Sequence, residues 1–398
     1  MHRIKSLIVL ALVLFTFHAC LQNVQPETNE PVSGLITGAD QTEAYLPLLK
    51  GKKIALVANH SSLIGDSHLA DTLLVLEVDI IKIFAPEHGF RGLADAGEYV
   101  ENGKDVKTGL PVISLYGENL KPSAESLKGL DLILFDLQDV GVRFYTYIYT
   151  LTYVMEAAAK LDIPVIVLDR PNPNGFYIDG PVLEQEHISF VGLHPVPIVY
   201  GMTIGEYGKM VNGEYWLADS LRCQLKVIPL KNYDRKELYP LPVKPSPNLP
   251  VWQSVYLYPS LCLFEGTMVS VGRGTETPFT VYGHPRFVIG SYAFTPESRP
   301  GAKHPKLEGV HCFGQNLMGY AEHYREVEEH FNLQWLISAY EIIGSDSTFF
   351  IPYFEKLAGT SDLRKQIISG MSAEEIKSGW KDDLEEFKVI RGKYLLYE

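Results

Sequence analysis

The feature that most constrains this chain is an alternation, from about Gly51 to Arg170, of short apolar runs with stretches of helical spacing. The runs Ile54–Ala58, Ile80–Phe84, Leu132–Leu137 and Val165–Leu168 are too short for helices and rich in β-branched residues or Leu. Largely apolar strands have both faces covered, as in a parallel sheet whose crossover helices pack on each side. Ser67–Glu77 and Tyr145–Lys160 carry helical spacing between the runs, and Pro111–Leu115 offers a further strand. The 398 residues are 46 % hydrophobic and 21 % charged, which is globular composition, and the length allows two or three domain units with a real core.

The residues just after each run carry more information than the run itself. Ile54–Ala58 leads to Asn59-His60-Ser61-Ser62, and Ile80–Phe84 leads to Pro86-Glu87-His88-Gly89. Leu132–Leu137 encloses Asp136 and leads to Gln138-Asp139, while Val165–Leu168 leads to Asp169-Arg170-Pro171-Asn172. Polar groups competent for catalysis thus gather at the carboxyl ends of four parallel strands, the edge at which open α/β sheets bind ligands. Polar residues also begin most loops, but the density of Asn, Asp, Glu, His and Arg here favours a site.

Several chemistries lack their motifs. There is no GxxxxGK[ST] and no GxGxxG, Gly272-Arg273-Gly274 being only a fragment, so no nucleotide cofactor is expected. No GxSxG elbow frames Ser61 or Ser62, which weakens an esterase using either serine with His60. HExxH and CxxC pairs are absent and the 12 His are scattered, so no metal is expected. The lone SxxK, Ser378–Lys381, lies in a charged, solvated stretch and reads as chance. A formal net charge of −13 makes nucleic acid an unsuitable partner, though a cleft can still be locally basic.

Residues 1–20, MHRIKSLIVLALVLFTFHAC, have a basic start, an apolar core Leu7–Phe17 and then Ala19-Cys20. The core is short for a membrane span but suits a signal peptide, and a Cys after a small residue at its end resembles a bacterial lipoprotein cleavage box. The expectation is lipidation at Cys20 and an exported lipoprotein, periplasmic or associated with the outer membrane, held to the membrane by its lipid alone. Removing Arg3 and Lys5 with that segment leaves 33 basic against 48 acidic groups, a net −15. Cys223, Cys262 and Cys312 are odd in number and read as buried free thiols.

Residues 239–250, YPLPVKPSPNLP, hold five prolines and mark a connector or stiff loop. Gly266–Gly274 is glycine-rich and loop-like. Ser372 with Glu375 forms a capping box opening a helix expected to run toward Val389.

The loops form a recognisable series. Phe84-Ala-Pro-Glu87-His88-Gly-Phe-Arg-Gly92, Thr108–Pro111 with Ser114–Gly117, and Phe135-Asp136-Leu-Gln-Asp139-Val-Gly-Val-Arg143-Phe-Tyr145-Thr-Tyr147 stand in order. They are followed by Leu168-Asp-Arg170-Pro-Asn172-Pro-Asn174-Gly, Gly201–Glu206, Pro245–Asn248, Phe264-Glu265-Gly-Thr and Gly272-Arg273-Gly-Thr275. This series resembles the NamZ-like exo-β-N-acetylmuramidase family from about residue 35 to the C-terminal end. The chain departs from the family pattern at Val199-Tyr200, where a basic residue or His is common, and at Met268 and Val271, both of which bear on fine specificity.

The resemblance implies an α/β protein with a Rossmann-like, mostly parallel sheet domain and a smaller α/β (α+β) domain. The expected divisions are 1–20 signal peptide, 21–36 tether, 37–245 catalytic domain and 246–398 a C-terminal domain closing the cleft. The implied activity is removal of the non-reducing terminal β-1,4-linked N-acetylmuramic acid from peptidoglycan fragments. A non-catalytic muropeptide- or sugar-binding lipoprotein is the alternative that the same cleft allows.

Glycoside hydrolysis needs an acid for the leaving oxygen and a second group on the other face of the sugar. Glu87 is the best acid, by strand-end placement and by alignment with the family's glutamate, against an ion pair with Arg91 as the plainer role. Asp136 and Asp139 compete for the second place, Asp139 also being able to cap the helix near Tyr145. The sugar's own 2-acetamido group can replace a protein nucleophile. Its lactyl carboxylate needs a cation, for which Arg143, Arg170 and Arg273 are candidates against loop-bracing roles. Tyr145, with Tyr147 and Tyr149, offers stacking or core packing. Asn59, His60, His88, Asn172, Asn248 and Glu265 complete the expected binding residues.

Overall fold

The computed structural model describes residues 34–91, 102–117, 119–287, 290–324, 326–327, 330–344 and 347–398, all within one unit. Cys20, the signal segment and most of the tether lie outside the described residues. The main sheet contains β1 (Ile54–Ala58), β2 (Ile80–Ala85), β3 (Gly103–Lys104), β4 (Pro111–Ser114), β5 (Leu132–Asp136), β6 (Val165–Leu168) and β7 (Leu225–Ile228). Their spatial order is β3-β4-β2-β1-β5-β6-β7, all parallel except the short edge strand β3.

The sheet is covered on both faces, which is why its strands read as apolar runs rather than as alternating ones. Ala55, Val57, Ile133, Phe135, Val165 and Val167 enter one core with helices α3 (Tyr147–Ala159) and α4 (Ile204–Gly213). Their sequence neighbours Ile54, Leu56, Leu132, Leu134, Ile166 and Leu168 enter a second core with α1 (Thr42–Leu49) and α2 (Leu69–Val75). The period of two along each strand thus sorts its side chains between two cores.

Beyond the proline-rich connector, which carries neither helix nor strand, α5 (Trp252–Leu261) leads into a smaller part. That part holds an antiparallel sheet of β8 (Val281–His284), β10 (Cys312–Asn316) and β9 (Tyr292–Phe294) in that spatial order, followed by helices of which the last ends at Gly392. The fold is therefore α/β with a mostly parallel sheet and a second, smaller region.

The structure adjusts some local expectations. The Ser372–Glu375 capping box is present, but its helix stops at Ser378 and a second helix runs Lys381–Gly392. Trp380 lies at the break and is buried beside Phe331, so its side chain anchors the junction of the two helices. The helix expected over Ser67–Glu77 is shorter, Leu69–Val75, because Ser67–His68 pair with Leu63–Ile64 and the His68 side chain caps it. Cys223, Cys262 and Cys312 are buried free thiols. No helix among the described residues is long and apolar enough to cross a membrane.

Candidate active site

The chain lays down β2 and β4 on one side of β1 and then crosses to β5, β6 and β7 on the other. The strand order reverses at the carboxyl end of β1, and the crevice outside such a switch point is the favoured ligand position of an open α/β sheet. A cavity of about 450 Å³, counting its mouth, lies there. Glu87 and His88 enter it from the end of β2, and Phe144, Tyr145, Thr146 and Tyr147 from the turn that opens α3. Ser246, Asn248 and Leu249 come from the connector, Tyr258 from α5, and Arg273 and Phe279 from the loop before β8. His88 (φ 71°) and Phe279 (φ 59°) both occupy the left-handed region that side chains avoid, and strain of this kind is held in place at functional sites.

Arg273 is the cation in this lining. Its Nε and Nη2 donate to Glu265 Oε1 and Oε2 at 2.7 and 2.8 Å, and its guanidinium lies 5.1 Å from the centre of the Phe279 ring. Burial works against both charges, but each partner outweighs it, so Arg273 is held above and Glu265 below its ordinary pKa. Lys306 supports the same loop, donating to the carbonyls of Phe264, Glu265, Thr267 and Val269, and burial pushes its pKa down to about 8.

Of the residues expected from sequence, Glu87, His88, Tyr145, Tyr147, Asn248 and Arg273 meet in the cavity wall. The others stand behind it in supporting contacts. Asp136, fully buried, takes a bidentate pair from Arg170 at 2.5 and 2.8 Å, so each occupies the other's charge. Arg143 is fully buried and donates to the carbonyls of Pro181, Val196, Leu357 and Ala358, the bracing role rather than a ligand contact. Asp139 accepts from Gly141 N–H and from the Tyr200 hydroxyl, and no side-chain cap from it reaches α3. Burial is the main force on Asp139 and pushes its pKa up to about 6.

Asn172 donates to Met202 O and accepts from Asn174 N–H, holding the loop after β6. Gly141 sits against it at φ 80°, and a Cβ there would lie 2.1 Å from the Asn172 side chain. His60 Nε2 meets Lys244 O at 2.8 Å, and burial lowers its pKa, with the His88 charge adding to the effect. Glu265 stands behind Arg273 and is not itself part of the cavity wall. Ser61 and Ser62 hydroxyls donate to Asn59 Oδ1 and Asp136 O, so neither is arranged as a nucleophile with His60.

Sequence reasoning did not single out Phe144, Thr146, Ser246, Tyr258 or Phe279. Ser246 and Thr146 lie inside motifs already noted, so adjacency was their only signal. Tyr258 lies in an apolar run, where nothing separates a pocket wall from a core residue, and Phe279 stands between Pro278 and Thr280 with no motif to mark it. Among the described residues no group of three or more His, Cys, Asp or Glu is placed to hold a metal ion.

Residues 54–253 match the family model for exo-beta-N-acetylmuramidase NamZ, N-terminal, and residues 256–397 match its C-terminal counterpart. The chain belongs to the NamZ family. A relative in Bacillus subtilis (strain 168), peptidoglycan beta-N-acetylmuramidase NamZ, is 40 % identical over 375 residues, covering 89 % of each chain. Two crystal structures of DUF1343 family proteins from Bacteroides fragilis NCTC 9343 share the fold. One has a TM-score of 0.84 at 49 % identity and the other 0.73 at 28 %, each comparison covering 92 % of this chain and 99 % of the other. The seam between the two NamZ models falls at the start of α5, beside the connector that rims the cavity.

Proposed function

We propose that this chain is an exo-acting glycoside hydrolase that removes non-reducing terminal β-1,4-linked N-acetylmuramic acid from peptidoglycan fragments. The observation that carries the reading is Glu87 in a cavity at the switch point of a NamZ-family fold. A cavity walled on several sides suits the end of a glycan rather than its middle, in keeping with exo action.

Glu87 is the general acid. As the bond from the anomeric carbon to the glycosidic oxygen breaks, the Glu87 proton passes to that oxygen, and the leaving sugar departs as an alcohol. The 2-acetamido oxygen can meet the anomeric carbon from the other face, after which water attacks and Glu87 takes back a proton. Arg273, fixed by Glu265, is the counter-charge for the lactyl carboxylate, a planar fork suited to a carboxylate. Asp136, Asp139, Arg143, Arg170, Asn59, His60 and Asn172 hold the loops that shape this wall.

The supporting test is incubation with a chromogenic β-N-acetylmuramide. Release of the chromophore is expected, and binding without release would leave the chain a sugar-binding protein.

We also propose that residues 1–20 direct export and that Cys20 carries the lipid anchor, with the domain in the periplasm or at the outer membrane. The short apolar core and Ala19-Cys20 support it. A single acyl chain binds membranes only marginally, so stable anchoring requires the several chains of a mature lipoprotein. Cys20→Ser should move the protein from the membrane fraction to the soluble one, and an unmodified native N-terminus other than Cys20 would overturn the anchor.

A further inference from the structure

Asn59 comes directly after β1 and is fully buried. The backbone N–H of Ser61 donates to Asn59 Oδ1 at 2.9 Å, and the Ser61 hydroxyl does so at 2.6 Å. A backbone N–H can only donate, so the amide has one orientation, oxygen toward Ser61 and nitrogen toward Tyr147. The main chain of Asn59 is held too. Its N–H donates to Ser62 Oγ at 3.0 Å, and its carbonyl accepts from His68 Nε2 at 2.9 Å. His68 Nδ1 accepts from Ala70 N–H at 3.1 Å, which leaves the imidazole proton on Nε2 for that contact.

The fixed amide nitrogen donates to Tyr147 Oη at 2.9 Å. With that side of the oxygen taken by a donor, the phenolic hydrogen must point elsewhere. Tyr145 stands beside it, ring centres 4.9 Å apart, and gives its own proton to Pro245 O at 2.9 Å, so its oxygen is an acceptor for the Tyr147 hydrogen that a bound sugar must displace. Tyr147 is the first residue of α3 and shares the cavity wall with Glu87.

We propose that Tyr147 donates a hydrogen bond from its hydroxyl to an oxygen at the reacting end of the bound 2-acetamido sugar, and that Asn59 is the positioning residue that aims it. This rests on the muramidase reading. Burial first, and then the Glu87 charge, push the phenol above its ordinary pKa, so it remains a donor rather than becoming a phenolate nucleophile. A donor aimed where charge develops acts on the transition state more than on the bound substrate. Asn59, expected from sequence to touch the sugar, acts one step behind it.

Two substitutions separate this from a purely structural role. Tyr147→Phe removes only the hydroxyl. Asn59→Asp keeps the acceptor for Ser61 but replaces the amide donor by a carboxylate oxygen, so the Tyr147 proton turns away from the sugar. Each should lower kcat on the chromogenic muramide by about 100-fold, the cost of one such donor, with KM within about threefold of wild type. The double variant should be no slower than Tyr147→Phe alone. Normal kcat in a folded Asn59→Asp protein, or additive losses in the double variant, would overturn the pair. If Asn59→Asp does not fold, unchanged kcat in Tyr147→Phe overturns it alone. A wild-type chain without turnover counts against the muramidase reading instead, and the cycle is then read from calorimetric affinity for N-acetylmuramic acid. There too the effects of the pair should be non-additive, and additivity overturns it.

Discussion

Arg273, Arg170 and Arg143 are indistinguishable as letters in a motif, yet their surroundings give them three different tasks. Arg143 meets four carbonyls and Arg170 meets Asp136, whereas Arg273 lies in the cavity wall with Glu265 behind it. Only the bonding partners separate a ligand cation from a brace, and they range from Glu265, eight residues from Arg273, to Ala358, 215 residues from Arg143. Arg273→Gln should weaken hydrolysis of a β-N-acetylmuramide by about 10- to 100-fold more than that of the matching N-acetylglucosaminide, which lacks the lactyl acid. A hydrogen bond to a charged group is worth about 1.5–3 kcal/mol, which sets that range. Equal losses on the two sugars would make Arg273 a brace as well.

At the scale of elements, the strands were legible because a buried parallel strand announces itself as a short apolar run between turn residues. Ile54–Ala58 and Val165–Leu168 appear with those same bounds, and Pro111–Ser114 is the further strand. Strand β7 was not legible: in Leu225-Lys226-Val227-Ile228 an exposed lysine interrupts the apolar run, since β7 lies at the sheet edge. The turn from β5 to α3 was legible as a motif but not in its inner wiring. Asp139 lies in it with its carboxyl pKa raised from near 4 to about 6 by burial. Between those values the folded chain holds a proton that the unfolded chain has lost, so raising the pH through that window removes stability. The loss is on the order of 3 kcal/mol for this group alone. Asn at 139 has no proton to lose, so the stability of Asp139→Asn relative to wild type should rise between pH 4 and 6. Parallel denaturation profiles for the two proteins would contradict that expectation.

For the whole molecule, a net charge of −13 repels an anionic sugar at a distance, and the cation at the cavity must act locally. The four strand ends that carry the polar residues were visible in the sequence, and the sheet order explains why they converge on the end of β1. The resemblance implies that the C-terminal part closes the cleft, with Asn248 and Arg273 among its binding residues, but the contacts that seat the connector are not legible in the sequence, because they join segments a hundred residues or more apart. Pro245 O receiving the Tyr145 hydroxyl and Lys244 O meeting His60 are the contacts that place the connector there. In the proposed reaction this assembled cavity uses Glu87 to cleave a terminal N-acetylmuramic acid. The most direct measurement is turnover of a β-N-acetylmuramide by wild type and by Glu87→Gln, alongside calorimetric binding of N-acetylmuramic acid to both. Glu87→Gln should bind the sugar as wild type does while turnover falls by about 10²- to 10⁴-fold, and near-normal turnover in the folded variant would contradict Glu87 as the acid.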